Sequence, residues 1–172
     1  MRLYVLALLA VITVCVVAMP TVKAQQPCLV KAWAAFNKND YTFAMTAADD
    51  CIDNFAAQAQ RDQKRLTDQN VPLPPTGTVN DVEKNAIFAR GVLNDVGAAF
   101  FLKGRSAEYL LKSTHQPKYA QTARAAYNGA VALPHARTFD PQGWFWSTSE
   151  ASSDRLRVLP APAASAARTA KK

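Results

Sequence analysis

From residue 25 onward the apolar positions recur at helical spacing and seldom alternate with polar ones. Between Tyr41 and about Asp68, the residues Phe43, Ala44, Ala47, Ala48, Cys51, Ile52 and Phe55 fall on one broad stripe, the three- and four-residue rhythm of a helix that buries one face. Leu29 to Phe36 predicts a shorter helix before it, and the polar pair Asn39-Asp40 separates the two. Past Ala59 the long helix turns polar. Gln58, Gln60, Arg61, Asp62, Gln63, Lys64 and Arg65 are expected to project into water, with Leu66 as the one late apolar anchor. Val71-Pro72-Leu73-Pro74-Pro75-Thr76-Gly77 cannot be helix, because proline removes a donor and clashes with the preceding turn.

Helix is expected to resume at Asn80, an N-cap with Glu83 in the capping-box position. Val82, Ala86, Ala89, Leu93, Val96 and Phe100 then predict one buried stripe on a single long helix. Gly91, Gly97 and Gly104 interrupt it, each at a cost of about 1 kcal/mol relative to alanine. Close helix-helix approach is their expected use, and Gly104 is also a candidate break. A further helix runs from about Tyr119 to Leu133 and is closed by Pro134. Thr138 to Trp146 reads as a turn-rich aromatic segment, after which Ser147 caps a short last helix with Glu150 in the matching third position. The expected fold class is all-α, a set of antiparallel helical hairpins over residues 25–159, followed by a disordered Ala/Pro/Lys tail at 160–172.

Residues 1–24 read as an export signal. Arg2 supplies the positive start, Leu3 to Met19 the apolar run, Pro20 the break, and Val22-Lys23-Ala24 the cleavage-like end. A retained signal anchor is the alternative, and its 17-residue run is short against the roughly 20 residues of a spanning helix. Cleavage leaves Gln25 as the first mature residue, removes Cys15, and delivers the chain to the periplasm or the exterior. Cys28 and Cys51 stand at equal distances from the Asn39-Asp40 turn, so an antiparallel hairpin sets them opposite each other. In an oxidising compartment such a pair predicts a disulfide.

Charge then narrows the partners. The chain carries a net +7, yet residues 25–150 hold 13 Lys or Arg against 12 Asp or Glu. The excess lies in the leader and the tail, not on a folded face or along one helix as nucleic-acid binding requires. Neither nucleic acid nor, after cleavage, a membrane is an expected partner.

Asn39-Asp40-Tyr41-Thr42-Phe43-Ala44, followed by Ala48 and Cys51, resembles the middle of a tetratricopeptide repeat, where a polar turn and an aromatic residue open the second helix of a pair. Tyr41, Ala44, Ala48 and Cys51 match positions of that second helix, and Cys28 and Ala32 match facing positions of the first. Cys28 departs from the large aromatic usual there, and no proline closes the unit. Tyr119 to Pro134 looks like another such second helix, through Ala123, Tyr127, Ala130 and Pro134, with Ala107 to Leu111 as its partner. The ending Asp140-Pro141-Gln142-Gly143-Trp144-Phe145-Trp146, then Ser149-Glu150-Ala151, looks like one shared by small exported tetratricopeptide-like bacterial proteins, some labelled β-glucanase precursors. The resemblance implies a helical surface that docks a protein or peptide. By their position on the chain, Tyr109, Lys112 and the polar side of Ala86 to Phe100 are the contacts expected for such docking.

Trp144, Phe145 and Trp146 form the other candidate binding site, since three adjacent aromatics cannot all face inward from one turn. The bland reading makes them a hydrophobic lid on the helical stack. A glycosidase needs two carboxyl groups roughly 5 to 10 Å apart across a cleft. Asp140 with Glu150 is the pair that flanks the tryptophans, although turn and cap roles already occupy both; Asp49, Asp50 and Asp53 read as a wetted helix face. No catalytic residue is assigned. His115 and His135 stand 20 positions apart without ligand spacing to a carboxylate or cysteine, so no metal is expected, and no phosphate-cradling or nucleophile motif points to a cofactor or to catalysis.

Overall fold

The computed structural model describes residues 26 to 160; the leader read at 1–24, with its Cys15, and the tail beyond Pro160 lie outside the described residues. Within them the elements run α1 (Pro27–Asn37), α2 (Tyr41–Asp68), α3 (Asp81–Phe88), α4 (Gly91–Thr114), α5 (Pro117–Val131), β1 (Thr138–Asp140), β2 (Trp144–Trp146) and α6 (Thr148–Val158). Among the described residues the fold is all-α apart from one two-stranded hairpin.

Each turn has a local cause. Asn39 takes a left-handed conformation at φ 61°, which asparagine tolerates better than most residues. Asp40 then caps α2 by accepting from the Phe43 amide at 3.1 Å. At the C-terminus of α4 His115 adopts φ 56° before Pro117 opens α5. Asn80 and Glu83 complete the reciprocal capping box.

The central element is α4, which touches each of the other five helices and β1. On one side Ala98, Ala99 and Leu102 meet Leu29 and Ala32 of α1 and Ala47, Ala48 and Cys51 of α2. Nearer its start, Val92, Leu93 and Val96 close on Ala59 and Leu66 of α2 and on Leu133 and Ala136. Near its end Ala107 packs with Ala123 and Tyr127 of α5 and with Leu159. Small side chains let the backbones approach. A Cβ on Gly97 would lie 2.6 Å from the Ala136 Cβ, and one on Gly104 would overlap the edge of the Tyr127 ring. The Cys28 and Cys51 sulfurs lie at disulfide distance with their Cα atoms 5.4 Å apart, tying α1 to α2.

Three expectations are corrected. The stretch from Asn80 to Gly104 is two helices, not one. The break falls at Ala89-Arg90, where Gly91 turns to φ 28°, and Gly104 continues α4 without interruption. As a result α3 swings away from the core: Val82 is 80 % exposed, and Ala86 and Ala89 also face out. Second, the late part of α2 does not project into water along its whole circumference. Gln63 is buried because the loop around His135 folds over it, and its Oε1 accepts from the His135 amide at 3.1 Å. Third, the aromatic segment is a β-hairpin. Its strands pair antiparallel with Thr138 opposite Trp146, Phe139 opposite Phe145 and Asp140 opposite Trp144.

Candidate functional site

A cleft of about 980 Å³ opens between α1, the junction of α3 and α4, and the hairpin. That volume is at the upper end of the range of ligand sites. Its α1 wall is Leu29, Val30 and Trp33, and α4 contributes Asn94, Asp95, Ala98 and Phe101. The opposite wall is aromatic, with Phe139, Trp144, Phe145 and Trp146 from the hairpin and Phe88 from the end of α3.

The hairpin presents these rings because its strand period sends neighbours to opposite faces. Phe145 is buried; it meets Phe139 across the strands at 5.1 Å and Phe88 at 5.3 Å between ring centroids. Trp146 rests edge-on against Phe101 at 4.9 Å. Phe139 and Trp144 each remain 38 % exposed at the rim. One of the three adjacent aromatics therefore anchors the hairpin while Trp144 stays accessible.

Backbone groups are free at the same place. Phe145 spends its N–H and C=O on Gly77, at 2.9 and 2.7 Å. In an antiparallel ladder this makes Phe139 and Phe145 the pair without mutual hydrogen bonds, so the Phe139 N–H and C=O point away from β2. No partner for either group occurs among the described residues.

Asp95 is the polar group that the sequence reading missed. It sits on α4 between Asn94 and Val96 at 9 % exposure and lines the cleft. Its Oδ2 accepts from the Gln26 amide at 3.1 Å. None of the ion pairs among the described residues includes it. Burial raises its carboxyl to about 6, although the Gln26 hydrogen bond works in the opposite direction. An acid within Val92-Leu93-Asn94-Asp95-Val96, on the strongest part of the apolar stripe, was the available signal.

Arg137 also lines the cleft, yet its donors are engaged. Its Nε donates to the Pro74 carbonyl at 3.0 Å and its Nη1 to the Pro134 and Ala136 carbonyls at 2.9 and 2.8 Å. It clamps the proline connector to the body, and burial lowers its pKa. Arg90 supports the same loop by donating to the His135 carbonyl at 3.2 Å. His135 is structural too: its ring bridges Gln63 at 2.7 Å and the Val71 carbonyl at 2.8 Å. With the Gln63 carbonyl oxygen taken by the His135 amide, the Gln63 amide nitrogen donates to Nδ1, leaving Nε2–H to donate to Val71.

Other sequence candidates lie apart from the cleft. Tyr109 stacks on Tyr41, with centroids 4.4 Å apart and planes within 6°, and Arg105 donates to its hydroxyl at 3.1 Å. Lys112 lies over the Tyr109 ring. Tyr109 is 14 residues beyond Asp95, about 21 Å along the helix axis, so the fold does not join Tyr109 and Lys112 to the aromatic segment. Lys112 lines a smaller hollow of about 520 Å³ beside Glu108 and Arg155. There Glu108 is buried between Arg105 and Arg155 at 2.9 and 2.8 Å; burial and this carboxylate push the Tyr127 phenol above its ordinary range. Asp140 lines the cleft but accepts from the Gln142 amide at 2.8 Å, whereas Glu150 is exposed and outside the lining. Asp49 pairs with Lys103, and Asp50 and Asp53 are exposed.

Among the described residues no three His, Cys, Asp or Glu side chains converge as metal ligands, and no helix is long and apolar enough to cross a membrane. No protein-family model matches the chain, and no curated protein or solved structure is significantly similar to it.

Proposed function

We propose that the protein is an exported, non-catalytic binding module that takes an extended segment of a partner protein into the cleft between α1, α4 and the hairpin. The carrying observation is the coincidence of an aromatic-walled cleft with an unpaired strand edge at Phe139. Rings supply apolar area, and the free N–H and C=O supply the main-chain pairing by which a strand is added to a sheet edge. The Cys28–Cys51 pair supports export, since such pairs persist in oxidising compartments. The α1–α2 and α4–α5 hairpins support the tetratricopeptide-like reading, in which stacked helix pairs offer a docking surface.

Site-specific photocrosslinking tests it. A photoreactive phenylalanine analogue in place of Trp144 should capture a defined partner segment, and the same analogue in place of Lys112 should not. Capture at Lys112 alone would move the docking surface to the far end of α4 and refute the cleft.

Carbohydrate binding is the second reading, favoured by the exposed Trp144 beside Asp140, since indole faces stack on sugar rings. Reducing ends released from soluble β-glucans, and abolished by Asp140→Asn, would establish a glycosidase in its place.

A further inference from the structure

We infer that the cleft selects a segment presenting a lysine or arginine, whose cationic head pairs with Asp95 while its stem runs along Trp33 and Phe101. The inference rests on the peptide-docking reading above and names its specificity.

The charge pattern inside the cleft carries the argument. Of the charged groups that line it, Arg137 already donates to four backbone carbonyls and Asp140 holds its own turn through Gln142. Asp95 remains. It is nine-tenths buried, a carboxylate can accept about four hydrogen bonds, and one N–H reaches it among the described residues. A buried carboxylate so sparsely satisfied is costly unless a cation meets it. The raised carboxyl, at about 6, expresses that cost and agrees with an ion site awaiting its counterion.

The walls suit a cation as well. Trp33 and Phe101 line the same space, and aromatic faces attract ammonium and guanidinium groups through their quadrupole. Lysine and arginine carry apolar stems that lie along such rings with the charge at the tip. An anionic or carboxyl-ended occupant would meet Asp95 and Asp140, and the one basic group of the lining, Arg137, has most of its donors spent on backbone carbonyls. A peptide fits better than a free amine because the Phe139 N–H and C=O have no backbone partner among the described residues.

The test uses the protein purified with its disulfide intact and three pools of fluorescein-labelled, end-blocked pentapeptides. Flanking positions are mixtures of valine, leucine, isoleucine and phenylalanine, and the centre is lysine, norleucine or glutamate. Anisotropy should show the lysine pool binding at least tenfold more tightly than norleucine, and glutamate weakest. Asp95→Asn, which keeps an acceptor for the Gln26 amide, should bring lysine and norleucine within twofold of each other without weakening the norleucine pool. Asp95→Glu should retain a preference for lysine.

Equal affinity for lysine and norleucine in the unmutated protein would overturn the cation assignment and leave peptide docking standing. Tighter binding of glutamate would overturn it too. Failure of all three pools would overturn the docking reading and this one with it. A dimer in sedimentation that Trp144→Ala converts to monomer would give the cleft to a second copy of the chain and likewise end the proposal.

Discussion

Asp95 works against the stability of the fold that contains it. The ordinary aspartate carboxyl is at 3.8, and burial in the cleft moves it to about 6. Well below pH 3.8 it is protonated in both folded and unfolded chains and costs nothing through ionisation. Between about pH 4 and 6 the unfolded chain is ionised while the folded chain still holds the proton, so stability falls across that window and the loss is complete above it. The shift corresponds to about 2 kcal/mol at pH 8 after allowance for partial screening by solvent. Asp95→Asn should therefore melt higher than the unmutated protein at pH 8, with the difference fading toward pH 4. Thermal unfolding at several pH values measures this directly, and a variant less stable at pH 8 would contradict it. Arg137 and Asp140 are the other charged groups that line the cleft, and comparison with the Asn variant isolates the part that belongs to Asp95.

At the scale of elements, the hairpin of α1 and α2 was legible because its signals are local. The apolar stripe, the Asn39 turn and the Asp40 cap lie within a few residues of one another. The break between α3 and α4 was not. Val82, Ala86, Ala89, Leu93 and Val96 keep a helical rhythm through it, and nothing in that rhythm records that Phe88 turns toward the hairpin rings. Gln63 was read as solvated because its partner, His135, is 72 residues away. The strands were hidden by brevity, since three residues per strand cannot display an alternating pattern. The cleft shared this fate: its rings come from α1, α3, α4 and the hairpin, and only Trp144 to Trp146 form a visible cluster. Close approach was legible for Gly97 and Gly104, whereas the break expected at Gly104 falls at Gly91. Gly104 faces the Tyr127 ring so closely that a methyl group must displace it. Alanine would gain about 1 kcal/mol of helix propensity, but overpacking against a buried ring costs about 1 to 3 kcal/mol. Gly104→Ala should therefore destabilise the protein in urea titration. In a Tyr127→Ala background the same change should stabilise it, and two changes that simply added would refute the close contact.

For the whole molecule, the disulfide decides whether the cleft has two walls. Helix α1 has 11 residues, too few to persist alone in water. It is held by Leu29, Ala32 and Ala35 in the core and by the aromatic run through Phe36, Tyr41 and Tyr109. Its Leu29, Val30 and Trp33 form one side of the cleft. The Cys28–Cys51 link closes the loop around the Asn39 turn and restrains the unfolded chain, on the usual scale by about 2 to 4 kcal/mol. Replacing both cysteines by serine should lower the urea midpoint by a corresponding amount. The loss should also be uneven. Val92, Leu93 and Val96 pack α4 against Ala59 and Leu66 of α2, and Ala107 packs it against Ala123 and Tyr127 of α5, in clusters that hold no buried residue of α1, so amide exchange should quicken across residues 27–37 while α4 and α5 stay protected. Binding of any cleft occupant should weaken in the same variant, because Trp33 would no longer be fixed opposite the hairpin. Uniform loss of protection through all helices would show that α1 belongs to one cooperative unit with the rest and that reduction unfolds the molecule rather than opening its site.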